Sequence, residues 1–595
     1  MPSSASLEKM EPSVGAPVPL LSRLEGDSSL TAEELAQLRQ GVRHFRSGDR
    51  AGSAAAEGDS EPRKRERQGQ GADADADVEG ADADGHGDSA KKPLRAMRGG
   101  FLRATADYED LGASRFVIRP RKYQQQYSAV YFSRLSALSG VLFRQAERLW
   151  PGVCIHACIR DVQTWQECVI VGTLFKDMAL KQSVLRDYMD AVPTQTKPNS
   201  LLADTDSLFL EDQTARVRLL VDASSRWAAS GGEPASDAEE EDSENRRVFR
   251  VNGVVTGLLV AVRGMPTDNG RFEVLEVCLG GAPAIPPLLP PSRALASDES
   301  LGGLSHPAFR DINLDSKFVA FVSDLRVGDA ATDPSRLQLL RDFLLGAFGG
   351  PFERRLASRI ARLVVAGNVL TAVQAYGSAA SQAKTSASSN ASLKAVLQEA
   401  DLFLSQLASS LPVDLMPGDR DPTTFSLPQQ PLHGALFPTS RAYSSIHGVS
   451  NPHAFSIDKV RFIGSSGQPV ANICAFSDLS PLEALRLCAE GRCLAPTAPD
   501  TLSLYPFVKD DPFCIAEDAD YQHAYFSANH EELSFARLRR TGTGAGEMES
   551  YANADGEGPL LLCVPSFAKS STLVLVDIQS LAVYPLHLVF ATEES

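Results

Sequence analysis

The chain has 595 residues, of which 43% are hydrophobic, and a formal net charge of −17 from 58 basic and 75 acidic side chains. That length allows two or three domains with buried cores. The acidic balance argues against a protein that holds nucleic acid mainly by its own surface, because neutralising phosphates takes clustered Lys and Arg.

Residues 1–100 read as a disordered tail. Ala-Asp repeats, many Ser and Gly and few aromatics leave little apolar surface to offset chain entropy. Within it, Thr31 and Glu34 form a capping-box pattern that opens a short helix. The run Arg63-Lys64-Arg65 with Arg67 fits a nuclear-import patch or plain solubilising charge.

Residues 115–285 read as a helix followed by short strands. Val130, Tyr131, Leu135, Leu138, Leu142 and Leu149 recur at helical spacing, and Pro151 and Gly152 end the helix. Strands are expected at 167–175, 215–220, 254–262 and 271–277, with a turn at 267–270 between the last two. Several short strands with one good hairpin suggest a small β-barrel of the OB type. An acidic insertion interrupts this domain near 228–247. The proline-rich segment 282–291 marks a domain boundary.

From 300 to 595 strands alternate with helices, which predicts an α/β layered fold. Strands are expected at 317–324, 362–368, 411–418, 560–564 and 572–576, and helices at 335–348 and 392–411. Leu337, Leu340, Phe343, Leu344 and Phe348 make the apolar stripe of the first helix. A second insertion is expected near 541–558.

Nine cysteines lie scattered along the chain, and Cys154, His156 and Cys158 come nearest to metal spacing. No second pair stands at zinc spacing, so neither a structural metal nor a cofactor is expected. The N-terminus lacks a signal-peptide pattern, and no apolar stretch reaches 18 residues, so no membrane span is expected.

Three strand ends carry the chemistry. Asp324-Leu-Arg326, Gly367-Asn368 and Gly418-Asp419-Arg420-Asp421 follow apolar strands in the order of a two-metal phosphoesterase. Such a site needs carboxylate, imidazole or amide oxygen around two cations. Active members of that superfamily carry Asp-x-His, Gly-Asp-x-x-Asp, Gly-Asn-His-Asp/Glu and Gly-His-x-His. Here Arg326 stands for the first histidine, Gly367-Asn-Val-Leu-Thr371 has lost both aspartates, and Arg420 stands for the central histidine. Arginine has no free acceptor and stays protonated, so it neither binds a cation nor relays a proton. His433 remains, but Gly-His-x-His is absent. Asp324, Asn368 and Asp419 are then expected to hydrogen-bond turns, with Arg326 and Arg420 pairing with Asp419 or Asp421.

The segments Val413-Asp-Leu-Met-Pro-Gly-Asp-Arg-Asp-Pro422, Leu427-Pro-Gln-Gln-Pro-Leu-His433, Phe462-Ile-Gly-Ser-Ser-Gly-Gln468 and Pro496-Thr-Ala-Pro-Asp-Thr-Leu502 closely resemble the B-subunit family of replicative DNA polymerases. Within it they look like the small-subunit lineage of DNA polymerase delta, as do Gln126–Leu135, Val169–Lys176 and Phe209–Asp212. The resemblance covers about 115–595. It implies α/β plus β-barrel architecture: an OB-fold domain and an inactivated calcineurin-like phosphoesterase domain, a layered β-sandwich with flanking helices. It implies a non-catalytic accessory subunit in the nucleus. The implied partners are the cysteine-rich C-terminal domain of the DNA polymerase delta catalytic subunit and a third subunit, with the sliding clamp and DNA reached through the complex. Three alternatives stay open: a divergent metal-dependent phosphodiesterase using Asp324, Asp419, Asp421 and His433, a DNA-binding OB module, and the B-type subunit of another replicative polymerase.

Overall fold

The computed structural model describes residues 102–181, 201–228, 247–288, 312–329, 332–371, 387–538 and 558–589. The N-terminal tail, both predicted insertions, the 31–34 capping box and the 63–67 basic run lie outside them, apart from residues at the insertions' edges.

Strand β1 (Tyr108–Asp110) precedes helix α1 (Ser128–Leu149), which buries Val130, Leu138, Leu142 and Ala146 as its 3.6-residue spacing demands. Seven strands follow: β2 (Cys154–His156), β3 (Cys168–Asp177), β4 (Ser207–Glu211), β5 (Arg216–Leu220), β6 (Arg226–Trp227), β7 (Leu259–Pro266) and β8 (Arg271–Cys278). Pairing runs β3–β4–β5–β8–β7 and returns to β3. The strand predicted from Val254 begins only at Leu259. Gly257 adopts φ +89, which no strand tolerates, and its N–H donates to Leu174 O at 2.8 Å.

Beyond the proline-rich segment, two six-stranded sheets stack. One holds β9 (Phe318–Val322), β10 (Ile360–Ala366), β11 (Val413–Met416), β12 (Ile446–Gly448), β18 (Thr572–Asp577) and β19 (Val583–His587), in the order β12-β11-β10-β9-β18-β19. The other holds β13 (His453–Ile457), β14 (Val460–Ser465), β15 (Ala524–His530), β16 (Ser534–Arg537) and β17 (Leu560–Pro565), with β1 added at the β13 edge. β9, β10 and β11 are parallel and buried on both faces, which explains their mainly apolar sequences; the exceptions, Arg362 and Asp414, pair with each other at 2.6 Å. Phe321, Val364 and Met416 meet Phe455, Phe462 and Phe526 between the sheets.

The outer face of the first sheet is covered by α2 (Pro334–Leu344), α3 (Pro351–Arg359) and α4 (Ala387–Ala408). Asp333 caps α2 by accepting the Ser335 N–H. The helix predicted to reach Phe348 stops at Leu344, because Gly346 turns left-handed at φ +68; Phe348 is 47% exposed rather than on the buried stripe. The α3 helix was not anticipated. α4 ends before Pro412, since a residue preceding proline is pushed out of helical geometry. On the second sheet lie α5 (Gln468–Ala475) and α6 (Pro481–Glu490), the latter opened by a Ser480–Glu483 capping box.

The β3–β8 ring and α1 share one apolar core with α5, α6 and the 493–515 segment. Arg134 of α1 crosses that junction fully buried. It donates twice to Asp511 Oδ2, at 2.9 and 2.7 Å, and once each to the carbonyls of Pro496 and Ala498. Among the described residues no helix is long and apolar enough to cross a membrane.

Candidate functional site

The parallel strands β9, β10 and β11 end at Asp324, Gly367-Asn368 and Gly418–Asp421. The parallel strands β14, β15 and β17 of the facing sheet end at Ser466, Asn529 and Ser566. Both sets of carboxyl ends meet at one rim. Asp324, Arg326, Asn368 and Asn529 all take left-handed φ between +46 and +63. Such backbone costs on the order of 1–2 kcal/mol per non-glycine residue. Its concentration at one rim marks a place that the fold shapes for side-chain convergence.

Asp324 is buried, and its carboxylate is fully engaged. Arg326 grips it through Nε and a terminal nitrogen, both at 2.8 Å, and Ser566 Oγ donates at 2.6 Å. The Asp324 hydrogen bond raises the Arg326 guanidinium further above its ordinary value, so this cation does not leave by losing a proton. Asp421 is buried as well and pairs with no arginine among the described residues. It takes the backbone N–H groups of Asn368, Val369, Leu370 and Gly418 at 2.8–3.3 Å. Burial pushes its carboxyl up to about 6, against the pull of those four donors. Asn368 Oδ1 accepts the Arg420 N–H at 3.1 Å, and a Cβ on Gly418 would stand 2.1 Å from that same oxygen.

The expected pairing of Arg326 with Asp419 or Asp421 is therefore replaced by one with Asp324, its neighbour two residues back. Asp419 is exposed, and the Arg420 side chain is half-buried. His433 is exposed and caps a short 3-10 turn by accepting the Ala435 N–H at 3.2 Å. The structure thus joins Asp324 to Arg326, and Asn368 to Asp421 and the Arg420 backbone. It gives Asp419 and His433 no hydrogen bond or ion pair to the other five.

Several rim residues were not among the expected site residues, although Gln429, Ser466 and Gln468 lie in the runs that carry the family resemblance. Asn451 Oδ1 accepts the Ser466 N–H, and its Nδ2 lies 2.8–3.0 Å from Gln429, Ser466 and Gln468 oxygens. Asn529 Nδ2 donates to Ala366 O and Ser466 O, tying the two sheets together. Gln429 Nε2 reaches Gly418 O at 3.1 Å. Amides and hydroxyls fill this rim, at the edge of the apolar layer between the sheets. Nothing in their local sequence announces it, because Asn, Gln and Ser at strand ends are ordinary turn residues.

A two-metal centre does not fit this donor set. The Asp324 oxygens are held by a guanidinium that would repel a cation, and all the acceptors of Asp421 and Asn368 named above point into protein N–H groups.

Buried histidine gives this rim a pH dependence. His530 follows Asn529, contacts Ser527 Oγ at 2.8 Å, and is lowered by burial to about 4. The unfolded imidazole titrates near 6.5, so His530 contributes stability above that pH and loses it as pH falls toward 4, by about 3 kcal/mol at most. Asp421 works in the opposite direction between about 4 and 6. The clean measurement is therefore a difference. His530→Gln is expected to melt at a temperature that falls less between pH 7 and pH 4.5 than that of the unsubstituted chain; parallel curves would show that His530 is protonated without penalty.

The family of DNA polymerase alpha/epsilon B subunits matches residues 319–532, and the DNA polymerase delta subunit OB-fold domain matches residues 126–277. A DNA polymerase delta small subunit of Oryza sativa subsp. japonica is 33% identical over 484 residues, 80% of this chain and 96% of the relative. One from Arabidopsis thaliana is 32% identical, covering 81% and 96%. DNA polymerase delta subunit 2 of Drosophila melanogaster is 30% identical, covering 80% and 96%. Among solved structures, a purple acid phosphatase from yellow lupin aligns at a TM-score of 0.22 and 10% identity over 56% of each chain, too distant to carry an argument.

Proposed function

The chain belongs to the family of DNA polymerase delta small subunits, and from that premise we propose that this accessory subunit of the polymerase delta complex is a scaffold without chemistry of its own. The observation that carries the reading is the Arg326 grip on Asp324, which turns the first ligand of a metal site into half of an ion pair. We read the β3–β4–β5–β8–β7 ring as an OB barrel within 115–285. The stacked sheets with their helices, within 300–595, are read as a calcineurin-like phosphoesterase sandwich whose metal-ligand set is partly replaced and partly tied up in protein contacts. Its partners would be the cysteine-rich C-terminal domain of the catalytic subunit and a third subunit, with the clamp and DNA engaged through them, in the nucleus.

The test has two arms. Tagged chain recovered from its own cells is expected to bring down a B-family polymerase catalytic subunit in near-stoichiometric amount, and to lose it when that subunit's C-terminal domain is deleted. Purified chain with manganese is expected to hydrolyse a model phosphodiester no faster than its Asp324→Ala variant. Recovery of the chain alone would overturn the scaffold. Hydrolysis that Asp324→Ala abolishes would establish the phosphodiesterase alternative.

A further inference from the structure

Nine cysteines are present, all as free thiols. Cys154 and Cys168 are register partners on β2 and β3, with Cys154 exposed, whereas Cys493 and Cys514 are both buried. The latter two face each other as an isolated antiparallel bridge. The flanking backbone bonds, Leu494 N–H to Phe513 O at 3.0 Å and Ile515 N–H to Arg492 O at 2.9 Å, make this a non-hydrogen-bonded pair. Such pairs bring Cα atoms to about 4.5 Å and their side chains close together. That separation falls inside the range of roughly 4.4–6.8 Å that a disulfide spans. The two sulfurs and an Asp511 carboxylate oxygen all lie within 4.8 Å of one another.

We propose that Cys493 and Cys514 are a redox-active dithiol whose oxidation by a small peroxide forms a cross-strand disulfide, stapling the 493–514 segment at the junction between the two halves of the protein. The reacting groups are distinguishable. The neighbouring Cys514 thiol and the Arg134 guanidinium hold Cys493 below the ordinary thiol value, whereas Cys493, burial and Asp511, whose Oδ2 the Cys514 thiol approaches at 3.7 Å, hold Cys514 well above it. The Cys493 thiolate attacks a peroxide oxygen, the O–O bond breaks, and hydroxide leaves to become water. The Cys514 sulfur then attacks the resulting sulfenic acid. The S–S bond forms, the S–O bond breaks, and the second water carries away the Cys514 proton. Two thiols and one hydrogen peroxide give one disulfide and two waters.

A zinc site is the competing reading of the same residues, and the geometry disfavours it. Asp511 Oδ2 takes both Arg134 contacts and Oδ1 takes the Phe513 N–H, which leaves two sulfurs where a structural zinc needs four ligands. The adjacent guanidinium would also repel the cation. The segment is placed for a coupling role, because Asp511 holds Arg134 of α1 and the Cys514 carbonyl accepts Arg115 from the chain before it.

The experiment is a thiol map of the full chain. The chain would be exposed to hydrogen peroxide until exposed Cys154 is consumed, then quenched in acid, unfolded, alkylated and digested without reductant. The expected result is a peptide linking Cys493 to Cys514, with buried Cys278 and Cys563 still alkylated, and dithiothreitol restoring both thiols. The oxidised chain is expected to melt several degrees higher, in a Cys154→Ser background that removes the surface thiol. Full alkylation of Cys493 and Cys514 after Cys154 has reacted would overturn the proposal. So would stoichiometric zinc in the purified chain that is lost from Cys493→Ser. The map of the unsubstituted chain decides the matter even if that variant folds poorly.

Discussion

Asp511→Ala is expected to destabilise the protein by about 3–5 kcal/mol, because it strands the Arg134 guanidinium in a site where that side chain is 1% exposed. Two carbonyl oxygens, of Pro496 and Ala498, would still accept from the guanidinium but would not neutralise it. The measurement is a thermal or denaturant melt of the purified chain, read together with soluble yield. The decisive comparison is the double variant Arg134→Met with Asp511→Leu. Removing both charges leaves apolar side chains of similar bulk in an apolar junction, and such replacements of buried pairs are often neutral or stabilising. The double variant should therefore melt above the single one. If Asp511→Ala alone costs less than about 1 kcal/mol, water reaches Arg134 and the junction is looser than the structure shows.

What the sequence disclosed depended on the range of the interaction. The segments at 318–322 and 360–366 are short, mainly apolar and rich in β-branched and aromatic residues, Arg362 being their one charge, and they were legible as strands one at a time. The α1 stripe was legible for the same local reason. By contrast, Val254–Leu258 looks like strand by composition, and only the left-handed Gly257, seated against a carbonyl from residue 496, prevents it. In the candidate site, Asp324, Asn368 and Asp421 could be named from strand-end placement. Their partners could not. Ser566 lies 242 residues from Asp324, and Asn529 reaches back 163 residues to Ala366. The choice between an Arg326 pair with Asp324 and one with Asp421 turns on which carboxylate the backbone N–H groups have already claimed, and those are fixed by turns whose geometry is not written in residue type.

Gly257→Ala is the sharpest test of that junction. Its backbone sits at φ +89, and an added Cβ would stand 1.9 Å from the Pro496 carbonyl oxygen, far inside contact distance. A left-handed alanine costs on the order of 1–2 kcal/mol by itself. Forcing the carbonyl aside adds roughly 1–3 kcal/mol of overpacking strain. Gly270→Ala is the control for the first of these alone, since Gly270 is also left-handed, at φ +67, but has nothing within 4 Å of its Cβ position. Melting of the two variants should differ by the overpacking cost, with Gly257→Ala the lower; equal shifts would mean that the two halves of the protein part easily. The Pro496 oxygen also accepts from Arg134 at 2.9 Å, so the glycine and the arginine act on one carbonyl. Gly257→Ala combined with Arg134→Met should accordingly cost less than the sum of the two alone, by at least about 0.5 kcal/mol. Strict additivity would place the strain elsewhere and show that displacing Pro496 does not disturb the buried ion pair.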